Sequence, residues 1–185
     1  MLGEEEGETD EGDGDAPRWI IDPIDATKNY LRGIPLFATL IALEERVAVV
    51  SAPALGRRWW AQRGGGAFCD GRRLAVSRVS HIEDAVLTYT SVVGFDERFF
   101  DLAARCWAPR GFGDFWQYML LAEGAVDGCI ESAANHWDLA APKLIIEEAG
   151  GTLTDLRGEV RADGGDALAS NGLLHAELLA ALRSS

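Results

Sequence analysis

Short apolar runs bounded by turn residues mark the first part of the chain as strands. Residues 18–21 form one such run, and residues 37–43 and 47–51 form two more, with Glu44, Glu45 and Arg46 as the turn between them. Residues 59–62, a break at Gly64-Gly65-Gly66 and residues 73–76 continue a β-rich first half. The pattern changes around residues 77–84. Residues 86–89 then predict a strand, and residues 97–107 and 114–123 predict helices, the second with Phe115, Met119 and Ala122 near one face. A short strand is expected at residues 129–131. Over residues 137–149, Trp137, Ala140, Ala141, Leu144, Ile145 and Ala149 recur at helical spacing. Gly150 and Gly151 stop that helix, as glycine does past a helix end. Strands at 152–154 and 168–169 and a helix at 173–183 close the chain. This order predicts a layered α/β fold, with a β-rich unit over residues 1–80 and an α/β unit over residues 81–185.

Bulk composition narrows the class. The chain has 185 residues, 48% of them hydrophobic, which suffices for one large domain or two small ones. No run reaches the roughly 18 apolar residues that span a bilayer, and no basic, apolar leader opens the chain. A soluble protein without a membrane partner is expected. Cys69, Cys106 and Cys129 are odd in number and lack CxxC spacing, so reduced, buried thiols in a cytoplasmic protein are expected. The net charge of -13 is local, because eight of the 30 acids lie between Glu4 and Asp15. The other 22 acids face 17 bases. A nucleic-acid partner needs a basic face, which this balance denies. The stretch from residue 8 to 15 predicts a solvated loop.

The chemistry concentrates in "WIIDPIDATKNY", residues 19–30, where an apolar strand runs into Asp22 and, three residues later, Asp25. Pro23 fixes its own φ and gives the backbone a defined direction. Two carboxylates in a short rigid stretch suit a hard divalent cation such as magnesium. By itself an acid pair beside a proline is an ordinary turn more often than a site. Asp138, in "HWDLAAPKLIIEEAGG", adds a further acid at a helix start, either as an N-cap or as a metal ligand. Pro142 is expected near the first turn of that helix. Glu4, in "LGEEEGE", is the remaining candidate ligand.

These blocks, in this order, resemble the signature blocks of the inositol monophosphatase superfamily, and the resemblance runs over the whole chain. It implies an αβαβα sandwich of the inositol monophosphatase and fructose bisphosphatase type, and a magnesium-dependent, lithium-sensitive phosphatase of small phosphate monoesters. The run "RGFGDFWQYMLLAEGAVDGCIE", from Arg110, and "TKNYLRGIPLFATLIAL" are similar to the histidinol-phosphatase branch. The resemblance further implies two or three Mg2+ per site and a homodimer. Glu4 would bind the metal that activates water. Asp22 would bridge metals, with the carbonyl of Ile24 completing one of them. Asp25 and Asp138 would hold the metal on the leaving-group side. Thr27 would orient the water, and the amides of Ala26 and Thr27 would cradle the phosphate. Asp114 and Glu131 would meet the substrate beyond its phosphate, where acids suit the ammonium and imidazole of histidinol phosphate.

Three departures accompany the resemblance. Ala26 stands where the family has glycine, which crowds or strains the turn if the position needs a glycine-only conformation. The family carries further helices before the Gly3-Glu4-Glu5 block, and an acid there that pairs with the equivalent of Thr27. Exposed apolar surface over residues 37–51, reduced stability and doubtful full activity are therefore expected. Asn135 and His136 fall where the branch varies, and His136 is expected in a loop or at the surface. Trp59 and Trp60 are expected to pack within a strand. The competing substrates are inositol monophosphate, fructose 1,6-bisphosphate or a nucleotide bisphosphate. The competing class is an inactive fold that binds only metal or a partner.

Overall fold

The computed structural model describes residues 1–3, 7–8 and 17–183. Most of the acid run, Glu4 included, lies outside the described residues. The first sheet has eight strands: β1 (Leu2–Gly3), β2 (Gly7–Glu8), β3 (Trp19–Asp25), β4 (Ala38–Leu43), β5 (Val47–Ala52), β6 (Arg57–Gln62), β7 (Gly66–Cys69) and β8 (Arg72–Arg73). Their order is β2-β1-β3-β4-β5-β6-β7-β8, with β1 parallel to β3 and the other pairs antiparallel.

Strand register explains how this sheet receives a helix. On its inner face, Ile20, Ala42, Ala48, Ala61 and Ala67 pair across β3 to β7, and all are buried. Four alanines in one row leave a shallow trough, and helix α4 (His136–Glu148) packs across β3 to β7 there. The neighbouring inner row, Leu40, Val50, Trp59 and Cys69, fills the rest of the face. The outer face carries Ile21, Ile41, Val49, Trp60 and Phe68 in one row and Trp19, Leu43 and Val47 in the next. Trp19 is 49% exposed, and Val47 and Trp60 are each 38% exposed. The expected apolar surface over residues 37–51 is thus confined to alternate residues, as the two-residue period of a strand dictates. Trp59 packs inside, whereas Trp60 stacks on Phe68 outside.

The second sheet holds β9 (Val86–Tyr89), β10 (Ala108–Arg110), β11 (Gly128–Glu131), β12 (Thr152–Thr154) and β13 (Ala167–Ser170), in the order β10-β9-β11-β13-β12. Strands β9, β10 and β11 are parallel, and β13 is antiparallel to both neighbours. Helices α3 (Asp114–Ala122) and α4 lie between the sheets within one core. Helices α2 (Glu97–Arg105) and α5 (His175–Arg183) cover the far side of the second sheet over a separate cluster. The described residues thus build four layers, β-α-β-α, of the layered α/β sandwich. Cys69, Cys106 and Cys129 are buried free thiols.

Several boundaries differ from expectation. The first long strand runs on to Asp25 instead of ending at Ile21, and it lies inside the sheet between β1 and β4. A five-residue helix, α1 (Thr27–Leu31), follows it and shows no apolar periodicity. Gly66 opens β7 instead of breaking the chain, and residues 74–80 form no strand. The helix predicted to reach residue 107 ends at Arg105, which frees β10. Pro142 is the seventh residue of α4, past its first turn. Lacking an N–H, it removes the helical bond that residue 142 would make to the carbonyl of Asp138.

Candidate metal centre

Asp22 and Asp25 are three residues apart, and in a regular strand side chains at that spacing point to opposite faces. The register of β3 against β4 shifts between them, since Asp22 faces Leu40 and Asp25 faces Ala38. One extra residue on β3, a β-bulge at Pro23-Ile24, reverses the parity. Pro23 fits there because it has no ladder N–H to lose. Its carbonyl accepts from Thr39 Oγ1 at 2.8 Å, and Asp22 Oδ1 accepts from the Ile24 amide at 3.0 Å. Both carboxylates therefore sit inside, Asp22 2% and Asp25 6% exposed.

Asp138 arrives from α4, its third residue. It is not the N-cap. That position belongs to Asn135, whose amide and Nδ2 donate to Asp138 Oδ2 at 2.7 and 3.2 Å. The alanine trough sets α4 close to β3, so ligand oxygens of Asp22, Asp25 and Asp138 lie within 4.8 Å of one another. Burial holds the Asp25 carboxyl well above the usual range. The Phe115 amide opposes that, and Asp114, Asp22 and Asp138 reinforce it. Burial also raises Asp138, against the two Asn135 bonds and one from Asp22. Three converging hard oxygens from Asp22, Asp25 and Asp138 form a site that suits a divalent cation.

Around this cluster, Thr27 Oγ1 donates to the Ile24 carbonyl at 2.8 Å. Ala26 has φ 65° and ψ 45°, the left-handed conformation that glycine adopts without cost. Asp114 opens α3, and its carboxyl is raised by burial and by Asp138, with Lys28 opposing. Glu131 ends β11, and burial pushes its carboxyl up to about 7, with Thr90 and Tyr118 opposing. Asp114 and Asp138 also raise it, so the acids from β3, α3, β11 and α4 form one neighbourhood. The expected residues 22, 25, 27, 114, 131 and 138 thus meet, and Glu4 lies outside the described residues. His136 is not in a loop but opens α4, where burial lowers its pKa and Asp163, Arg18 and Glu44 act on it.

Sequence reasoning passed over Thr90, Gln117 and Tyr118, and gave Asn135 no role. The spacing of Asn135 and Asp138 carries the signal of a capping box, an N-cap residue with an acid three positions later. Asp114, Gln117, Tyr118 and Leu121 recur at i, i+3, i+4 and i+7, which puts polar side chains on the buried face of α3.

Fold and site together define a layered α/β protein built around a carboxylate cluster suited to a metal, and its family is one of phosphomonoester hydrolases. Residues 1–185 match the inositol monophosphatase family, and the chain belongs to that family. It is 51% identical over 180 residues to a histidinol-phosphatase of Streptomyces coelicolor, covering 88% of this chain and 68% of that protein. It is 48% identical to a histidinol-phosphatase of Mycobacterium tuberculosis, covering 100% of this chain and 75% of that one. A solved structure of an inositol monophosphatase from Thermotoga maritima superposes with a TM-score of 0.87 at 35% identity, covering 98% of this chain and 72% of that one. No helix among the described residues is long and apolar enough to cross a membrane.

Proposed function

We propose that this chain hydrolyses L-histidinol phosphate to L-histidinol and phosphate with magnesium, in the cytoplasm, as a step of histidine biosynthesis. The observation that carries this reading is the adjacency of two acid sets. Asp22, Asp25 and Asp138 converge within 4.8 Å, and Asp114 and Glu131 stand beside them. The first set suits a cation that a phosphate also binds. The second suits the ammonium and imidazole of histidinol rather than another phosphate. Histidinol-phosphatases among the relatives point the same way.

Asp22, Asp25, Asp138 and the Ile24 carbonyl would hold magnesium, with Glu4 as a further ligand. When bound, the metal supplies charge stabilisation at the phosphoryl group and an acidified water. Thr27 donates its only hydroxyl hydrogen to Ile24, so its lone pairs are left to accept from a water and orient it. The amides of Ala26 and Thr27 precede the hydrogen-bonded turns of α1 and are available to phosphate oxygens. Attack by water in line with the leaving alkoxide needs no covalent enzyme intermediate. A phosphoryl-enzyme trapped by rapid quench would contradict this. A homodimer is supported by β10, an edge strand of the second sheet among the described residues. Trp107 there is 73% exposed beside an apolar hollow lined by Val86, Trp116, Leu120 and Val126. Light scattering at graded concentration tests it.

The deciding assay is phosphate release from L-histidinol phosphate and inositol 1-phosphate in parallel, with magnesium and with EDTA. Magnesium-dependent release favouring histidinol phosphate is expected. Preference for inositol 1-phosphate would move the assignment within the family, and release unaffected by EDTA would remove the metal from it.

A further inference from the structure

Glu131 receives its hydrogen bonds from neutral donors. Its Oε2 accepts from Gln117 Nε2 at 3.1 Å and from the Tyr118 hydroxyl at 2.9 Å. Thr90 also hydrogen-bonds to this carboxylate. The Thr90 oxygen accepts from Gln117 Nε2 at 3.1 Å and from the Asp114 amide at 3.0 Å. Both partners there are donors, so the single hydroxyl hydrogen of Thr90 is left for Glu131. Thr90 thereby ties the backbone of Asp114 to the carboxylate of Glu131. The geometry follows from the sheet. Strands β9 and β11 are parallel and paired through Tyr89 and Ile130, so the next residues, Thr90 just past the end of β9 and Glu131 at the end of β11, stand side by side.

Gln117 and Tyr118 are buried at 0% and 1% exposure. Burying an amide and a phenol costs free energy that leucine and phenylalanine at those positions would avoid. An arginine or lysine would fix a carboxylate as firmly, but it would cancel the charge. Neutral donors orient the carboxylate and leave its net charge for an incoming cation. No base ion-pairs with Glu131 among the described residues.

Building on the histidinol phosphate reading, we propose that Thr90, Gln117 and Tyr118 are positioning residues. They form a neutral-donor frame that aims Glu131, and through the Asp114 amide the start of α3, so that a phosphate ester with a cationic remainder is selected over an uncharged one. The frame acts on selectivity through Glu131, and none of its three side chains belongs to the Asp22-Asp25-Asp138 cluster.

The test compares kcat/KM for L-histidinol phosphate with that for glycerol 2-phosphate, whose remainder is uncharged, in wild type, Tyr118→Phe, Thr90→Val and Thr90→Ser. Tyr118→Phe and Thr90→Val are each expected to lower the ratio of the two values about tenfold, chiefly through KM for histidinol phosphate, the scale of a lost hydrogen bond to a charged group. Thr90→Ser keeps the hydroxyl and is expected to keep the ratio. A ratio unchanged in both deletion variants would overturn the frame. A wild-type ratio near one would overturn the histidinol phosphate reading instead. An independent readout is the Glu131 carboxyl titration by 13C NMR in the metal-free protein. The groups facing it are Asp114 and Tyr118 on α3, Asp138 on α4 and Cys129 on its own strand. Tyr118→Phe removes a donor to the ionised form, so its titration is expected to move to higher pH. An unmoved titration would also overturn the frame.

Discussion

The main-chain N–H of Phe115, in the first turn of α3, donates to Oδ2 of Asp25 at 2.9 Å. One hydrogen bond thus joins the bulged strand of the first sheet to the helix that carries Asp114, Gln117 and Tyr118. The metal cluster and the proposed specificity acids are held in register by a backbone amide, which at position 115 only proline would delete. The same bond is the largest opposition to the burial that raises the Asp25 carboxyl.

Asp25→Asn keeps an oxygen acceptor for Phe115 and removes a buried charge. The folded pKa of Asp25 is raised, so its favourable contribution is complete below the ordinary carboxylate range. That contribution is lost as pH rises through the folded value. Near neutral pH, without metal, the variant is expected to melt at or above the wild-type temperature. Excess magnesium, at about a hundred times its Kd, stabilises a specific one-site binder by about 2.7 kcal/mol. Wild type is expected to gain on this scale, and Asp25→Asn to gain far less. Thermal melts in EDTA and in magnesium check both statements. Equal magnesium shifts in the two proteins would remove Asp25 from the ligand set.

Ala26 sits at φ 65°, where a left-handed residue bearing a Cβ costs roughly 1–2 kcal/mol. Ala26→Gly relieves that strain and gives back part of it as extra chain entropy when unfolded. A net gain of up to about 1 kcal/mol is expected, which is roughly 2–4 °C in Tm for a chain of this size. A variant melting below wild type would show that the methyl group packs more than it strains. Kinetics of the same variant report whether that methyl crowds the phosphate.

Much of this was legible in the sequence, for identifiable reasons. Asp22, Asp25 and Asp138 lie in compact motifs whose residue types state their chemistry, whereas Asp114 and Glu131 are legible only through the family resemblance. The parity problem was not legible. Strand periodicity puts Asp22 and Asp25 on opposite faces, and only the register against β4 reveals the bulge. Strand β10 was hidden because Pro109 argues against a strand, yet an edge strand tolerates proline. Gln117 and Tyr118 read as helix formers, and their burial against Glu131 depends on how α3 meets a strand 13 and 14 residues away. The sequence states which groups are present. Long-range packing decides which of them touch.

The alanine trough gives a packing prediction with a functional readout. Ala61 is fully buried on the row that faces α4, and Ala61→Leu adds three carbons there. Overpacking of this kind costs typically about 1–3 kcal/mol. Because α4 carries Asp138, lifting it off the sheet also separates Asp138 from Asp22. Ala61→Leu is expected to lower Tm by several degrees and to weaken magnesium binding in calorimetric titration. Trp60→Leu, on the outer face of the same strand, is expected to leave magnesium affinity at the wild-type value. Unchanged affinity in Ala61→Leu would mean that α4 adjusts without moving its first turn.

Glu131 gives a pH prediction with a defined window. Burial pushes its carboxyl up from an ordinary 4.5 to about 7 in the fold. A raised folded pKa means that the acid favours the folded state when protonated. That contribution is intact below about 4.5 and is lost between about 4.5 and 7 as the buried group ionises. At one pKa unit per 1.36 kcal/mol, the loss reaches up to about 3 kcal/mol above that window. Glu131→Gln keeps an acceptor for Tyr118 and carries no charge, so it is expected to be flatter through the window and more stable than wild type above it. Denaturant unfolding in EDTA at a series of pH values measures this difference. The same ionisation has the opposite value for turnover, because only the carboxylate can pair with a cationic substrate. In wild type, kcat/KM for L-histidinol phosphate is therefore expected to rise through pH 7 on a limb that glycerol 2-phosphate does not share, and Glu131→Gln is expected to lack that limb. A shared limb for both esters would assign it to the metal cluster and leave Glu131 with a structural role only.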